Sequence, residues 1–252
     1  MAGTVDDLIA RMDALLAAVE ADGDPARFFL ATYLRTTRAV RTALDRGLFE
    51  DPGWVAAWDV DFADLYLDAL EAHRRDPATA PRPWREAFGA RPALRPEAHV
   101  LLGVNAHINF DLPQSLVRVI SAEEFRDPAV LARRERDHER IDRVLSDRVA
   151  AEDAELQKAG DPRTLVDRLM TTPNHIASRV FLREARRKVW ANAAVLDRAR
   201  LTGEDEYRRR LAELETLSAG RVADLLRPGP VLIRLAVRGF GVSLPADVQP
   251  GG

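Results

Sequence analysis

The chain has no cysteine. Disulfides, thiolate metal sites and cysteine nucleophiles are excluded together, and a reducing compartment, the cytoplasm, is the expected location. The N-terminus, Met1-Ala2-Gly3-Thr4-Val5-Asp6-Asp7, lacks the basic and apolar stretches of a secretory signal. No charge-free apolar run is long enough to span a bilayer, so no membrane partner is expected. Excess charge of one sign is missing as well. The 37 Lys and Arg nearly balance the 40 Asp and Glu, for a formal net charge of −3. Basic residues are scattered among acids, which argues against a nucleic-acid partner. There is no Gly-rich phosphate loop, Rossmann fingerprint, nucleophile elbow or His-Glu-x-x-His pair. The single Glu-x-x-His, Glu135 to His138, lacks the second copy that a ferritin-like di-iron site needs.

What the chain does have is helix punctuation. Thr4 is placed to cap a first helix. Asp22-Gly23-Asp24-Pro25 reads as a stop followed by a start, Gly47 as a stop, and Asp51-Pro52 as another start. With no β-hairpin, no βαβ alternation and no fixed-period repeat, the expectation is all-α. A single helical-bundle domain should span residues 1–244, with about eight to ten helices and a flexible tail at 245–252. The third helix carries Asp61, Asp64 and Asp68 on one face, either as a solvated face or as a carboxylate row aimed at a cavity or a metal. Prolines between Asp76 and Pro96 exclude a long element there; a short piece should dock by Trp84 and Phe88. Pro128 should open a long charged helix to about Lys158, with His138 on its surface. Gly160-Asp161-Pro162 restarts the chain before a short helix over Leu165–Met170, and Thr172-Pro173 begins the next long one. Thr202–Leu226 and a short terminal helix over Val231–Phe240 complete the expected set.

One stretch differs from all the others. From Ala98 to Phe110 there is no charged side chain. At about 100° per residue, its apolar side chains point all round, the mark of a buried helix. Yet it carries Asn105, His107, Asn109 and Asp111, which are costly to bury unless hydrogen-bonded. A central helix over 98–111 should therefore bring a polar cluster into the core. Gly103, His107 and Asp111 lie four apart on one line, so the carboxylate can orient the imidazole, while Gly103 should leave space one turn away. Asn105 and Asn109 form a second line. Pro113 should end or kink the helix, with a short helix over Gln114–Ile120 beyond it. Asp111 is alternatively a cap for that second segment.

Asn105-Ala106-His107-Ile108-Asn109-Phe110-Asp111-Leu112, with Leu101-Leu102-Gly103 before it, resembles the mainly actinobacterial domain-of-unknown-function family numbered 5995. Phe28-Phe29 with Tyr33 and Thr36, Phe62-Ala63-Asp64 with Tyr66, Trp84 with Phe88, and Arg186 with Trp190 also fit the resemblance. It implies a helical fold and a setting beside small-molecule biosynthesis genes, but no reaction. The residues themselves suggest His107, Asp111 and Asn109 as catalytic groups, with Asn105, Asp64, Tyr66, Tyr33, Trp190 and Arg186 binding a substrate. The function expected is a non-redox enzyme acting on a small, largely apolar metabolite by acid/base chemistry: cyclisation, elimination or hydrolysis. A non-catalytic binding or structural protein is the alternative, and a divalent-metal enzyme using the aspartate row a second. No cofactor is expected except, in that last reading, the metal.

Overall fold

The computed structural model describes residues 3–159, 175–229, 235 and 239–245, without side chains at 142 and 145–183. The helices are α1 (Val5–Ala21), α2 (Ala26–Asp45), α3 (Pro52–Arg75), α4 (Arg82–Phe88), α5 (Pro96–Ala106), α6 (Leu112–Val119), α7 (Pro128–Ala159), α8 (His175–Thr202) and α9 (Glu204–Leu226), with a π turn over His107–Asp111. No strand occurs among the described residues, so the all-α expectation is met. None of their helices is long and apolar enough to cross a membrane. The expected helix over Leu165–Met170, its restart at Gly160-Asp161-Pro162, the start at Thr172-Pro173 and the tail from 246 onward lie outside the described residues.

The caps work as the sequence suggests. Thr4 Oγ1 accepts from Asp7 N at 3.1 Å while Asp7 Oδ2 accepts from Thr4 N at 2.9 Å, a reciprocal pair that satisfies two otherwise orphaned amides. Asp51 Oδ1 accepts from Trp54 N at the head of α3. A second reciprocal pair forms on a short 3₁₀ turn at Glu124–Arg126, where Ser121 N donates to Glu124 Oε2 at 2.9 Å and Glu124 N donates to Ser121 Oγ at 3.2 Å. Trp84, on the short α4, is fully enclosed.

The buried residues form two apolar clusters. Met12, Leu30, Tyr66, Trp84 and Leu102 belong to one. Trp54, Trp58, Leu116, Val189 and Leu214 belong to the other. The rod from α5 through the π turn to α6 serves both, with Leu102 and Ala106 in the first and Phe110, Leu112 and Leu116 in the second. Asn105, His107, Asn109 and Asp111 are 0–4% exposed, so the central polar helix is where the sequence puts it.

Pro113 does not end this helix. It has no N–H for the Asn109 carbonyl, and its ring crowds that carbonyl in a regular α-helix. The backbone widens instead: Leu112 N–H donates to His107 O, five residues back. Side-chain amides fill in where the ladder is disturbed. Asn109 Nδ2 donates to Asn105 O at 3.0 Å, and Gln114 Nε2 donates to Phe110 O at 2.8 Å. The expected separate segment over Gln114–Ile120 is thus a continuation of one rod. The space expected beside Gly103 is filled in the direction a side chain would take. A Cβ there would lie 2.5 Å from Phe29 Cγ, because the Phe29 ring packs onto the bare Cα.

Candidate functional site

The π turn sets two titratable side chains against each other. His107 Nδ1 and Asp111 Oδ2 are 2.8 Å apart, both buried. From α4, Trp84 Nε1–H donates to the same Asp111 oxygen at 2.9 Å. Asp111 makes no capping bond to α6, so its carboxyl serves this pair rather than the helix end. The Phe62 ring stacks on the imidazole, centroids 3.6 Å apart and planes 5° from parallel. Tyr33 meets it edge-on at 4.7 Å, and Phe29, Tyr66 and Trp84 close the remaining sides at 5.8–6.0 Å. Helices α2, α3 and α4 thus each contribute rings to an aromatic cage around His107. Inside the described structure, His107 Nε2 and the hydroxyls of Tyr33 and Tyr66 are buried without a hydrogen-bond partner.

Electrostatics follow from this burial. Loss of water pushes the His107 pKa down, against the opposing pull of the Asp111 bond and charge. Burial pushes Asp111 up, against the bonds from His107 and Trp84. Burial also pushes both phenols well above their ordinary range. Near neutral pH the phenols keep their protons and the imidazole is neutral. An oxygen that already accepts from Trp84 is best matched by a second donor, so the network assigns the imidazole proton to Nδ1. Nε2 is then a bare lone pair facing the cage, with Asp111 fixing the tautomer and ring orientation.

Of the expected catalytic trio, the structure brings together His107 and Asp111 but not Asn109. Asn109 Nδ2 donates to Phe240 O at 3.2 Å and its Oδ1 accepts from Val242 N at 3.0 Å. Asn105 Nδ2 likewise donates to Phe240 O at 3.3 Å. Both amides therefore serve a non-helical segment at 239–245, which also replaces the C-terminal end of the helix expected over Val231–Phe240; the rest of that helix, apart from Leu235, is outside the described residues.

The chain belongs to DUF5995, a family of unknown function. The match runs over residues 5–228, which takes in the dyad, the cage, Asn105 and Asn109 and leaves out the 239–245 segment. No curated protein and no solved structure matches the chain.

In this DUF5995 chain the expected binding residues divide. Tyr33 and Tyr66 stand in the cage. Asp64 is half-exposed on the outer face of α3, 2.8 Å from Arg11, which also holds Asp68 at 2.9 Å and Glu71 at 3.0 Å. Asp61 faces Arg118. The aspartate row is therefore an ion-pair ladder between helices, and among the described residues no group of three or more His, Asp or Glu is arranged to hold a metal. Trp190 belongs to the second cluster, donating from Nε1 to His138 Nδ1 at 3.1 Å. Arg186, expected to bind substrate, pairs with Glu139. His138 is buried rather than on the surface. Sequence reasoning did not assign Phe29, Phe62 or Trp84 to the site. The signal for two of them was present: Phe29 and Tyr33 on α2, and Phe62 and Tyr66 on α3, are i,i+4 aromatic pairs that present one aromatic stripe each.

A cavity of about 20 Å³ borders the cage without reaching the dyad. Phe29, Trp84, Ala87, Phe88, His99 and Gly103 are among its lining residues. Phe29 and Trp84 are walls of both cavity and cage.

Proposed function

We propose that this DUF5995 protein is a non-redox acid–base enzyme for a small, largely apolar molecule, a lyase or cyclase in type, acting in the cytoplasm. The carrying observation is the buried, unpartnered Nε2 of His107, oriented by an Asp111 carboxyl that Trp84 also holds. A buried polar atom without a partner costs stability, and the His107 ring and the two tyrosine rings of its cage each carry one.

The chemistry follows from the atoms. Nε2 takes a proton from a substrate carbon or hydroxyl. The released electron pair forms a new bond within the substrate, or expels a leaving group. The imidazolium is stabilised across the 2.8 Å contact by Asp111, then returns the proton to the leaving group or to another substrate atom. The Tyr33 and Tyr66 hydroxyls, held protonated by burial, supply donors for an oxygen that gains negative charge. Ring walls on every side favour an uncharged, planar or hydrocarbon-rich substrate, since a charge would be desolvated without a counter-ion. Phe29 and Trp84 line both the small cavity and the cage, and swinging the Phe29 ring off Gly103 is the proposed route by which a ligand reaches the dyad.

The tight packing favours a second reading: a non-catalytic protein in which the dyad only fixes core register. The two separate in one assay. Wild type, His107→Gln and His107→Ala are incubated with a panel of small apolar metabolites, and consumption is followed by mass spectrometry beside thermal melting. The enzyme reading expects consumption of a panel member that slows by roughly 10²-fold or more in both variants while the Gln variant keeps its melting temperature. A Gln variant that consumes the compound at the wild-type rate, with only the Ala variant destabilised, establishes the second reading.

A further inference from the structure

Residues 240–244 lie against the central rod without regular secondary structure, and among the described residues no strand lies beside them. Phe240, Val242 and Leu244 are buried, as is Gly241, while Ser243 is exposed. Its backbone groups are bound by side-chain carboxamides. Asn109 spans Phe240 O at 3.2 Å and Val242 N at 3.0 Å. Asn192, from α8, spans Val242 O at 3.0 Å and Leu244 N at 2.8 Å. These are the alternate carbonyls and amides that a neighbouring strand engages, so the two carboxamides stand in for a strand. Asn105 reinforces the bond at Phe240 O. Glu184 Oε2 accepts from Phe240 N and Gly241 N, each at 3.3 Å, and Lys188 Nζ donates to Gly241 O at 3.0 Å. Arg210 reaches Pro245 O at 3.3 Å. At Gly241 a Cβ would lie 3.2 Å from Ala185 Cα, so a residue without a side chain lets the segment lie this close to α8.

From this arrangement we infer that Asn109 and Asn192 form the core of a binding site for an extended apolar-x-apolar-x-apolar peptide strand, filled here by the chain's own 240–244 and able to take the same segment of a second copy. The receptor residues named here, Asn105 to Arg210, all lie inside the family-matched region of residues 5–228, whereas the strand lies beyond it. The contacts are backbone bonds to buried amides plus burial of Phe240, Val242 and Leu244. The segment of a second copy offers the same groups in the same spacing, so exchange conserves every bond and changes only which chain is tethered, the condition under which strand swapping forms dimers. This inference is independent of the dyad's role.

Two full-length variants test it. Val242→Asp with Leu244→Asp spoils the strand and keeps the receptor. Asn109→Ala with Asn192→Ala spoils the receptor and keeps the strand. Mixed together, they should form a one-to-one heterodimer by native mass spectrometry and size exclusion, at concentrations where each alone is monomeric. No heterodimer up to roughly millimolar concentration, the range a short tether supplies, overturns the inference. Should either variant be unfolded alone, the far-UV circular dichroism of the mixture decides: recovery of helix supports the exchange, and no recovery overturns it.

Discussion

Replacing Trp84 by phenylalanine removes one N–H from the site and keeps an aromatic ring in the cage. The lost bond is the 2.9 Å donation to Asp111 Oδ2, and Asp111 is 1% exposed, so water cannot take the donor's place without opening the core. A hydrogen bond to a charged group contributes roughly 1.5–3 kcal/mol. The smaller ring in a fully enclosed position adds about 1–2 kcal/mol of lost packing. The first part depends on pH and the second does not. The indole bond favours the ionised carboxylate, so its loss pushes the Asp111 pKa, already raised by burial, higher still. A folded-state pKa raised this way means that Asp111 costs stability as pH climbs above the ordinary carboxylate range. Removing Trp84 deepens that cost at high pH and changes little once the carboxyl is protonated. Urea denaturation of both proteins, at about pH 8 and about pH 4, should therefore show a larger destabilisation at the higher pH. An equal destabilisation at both would refute the hydrogen-bond argument and leave Trp84 as packing alone.

Gly103→Ala should lower the melting temperature, because its Cβ meets Phe29 at 2.5 Å and overpacking of this kind costs about 1–3 kcal/mol; an unchanged melting temperature would show that Phe29 has another seat. His138 supplies an acid-sensitive element outside the dyad. Burial first, then the Arg186 charge, depress its pKa from 6.5 to about 3. The unfolded chain takes up this proton first, so stability should fall as pH drops from about 6.5 toward about 3, by up to about 5 kcal/mol at 1.36 kcal/mol per unit. His138→Gln should lack that part of the acid sensitivity, and parallel stability–pH curves for the two proteins would contradict it.

The central helix was legible because its signal is local: a charge-free run that nevertheless holds Asn, His and Asp. The His107–Asp111 pair was legible for the same reason, four residues being one helical turn. What escaped depends on distant partners. Asn109 finds its acceptor in Phe240, 131 residues away, in a segment with no regular secondary structure of its own. Trp84 sits in a proline-rich connector whose sequence announces a docking ring but not the carboxyl it binds. His138 lies on a helix dense in charge, where the periodicity suggests solvent. The neighbouring charges are instead drawn inward: Asp137 accepts from Glu50 N and Asp51 N at 2.8 Å each, and Arg134 binds Asp51 and Glu124. Trp58 and Trp190 then close over the imidazole between them. Pro113 leads the sequence to predict an end or a kink, because it removes one backbone bond from the ladder. A π turn and two side-chain amides carry the helix past it.

The central claim is that His107 presents a bare Nε2 to the cage. Long-range ¹H–¹⁵N spectra of the imidazole nitrogens, recorded across pH and assigned with His107→Gln, test it directly. The account predicts a neutral ring near neutral pH, protonated at Nδ1 and bare at Nε2, with its titration displaced below the ordinary histidine range by burial. A proton found on Nε2, or an imidazolium that persists above the ordinary range, would contradict it.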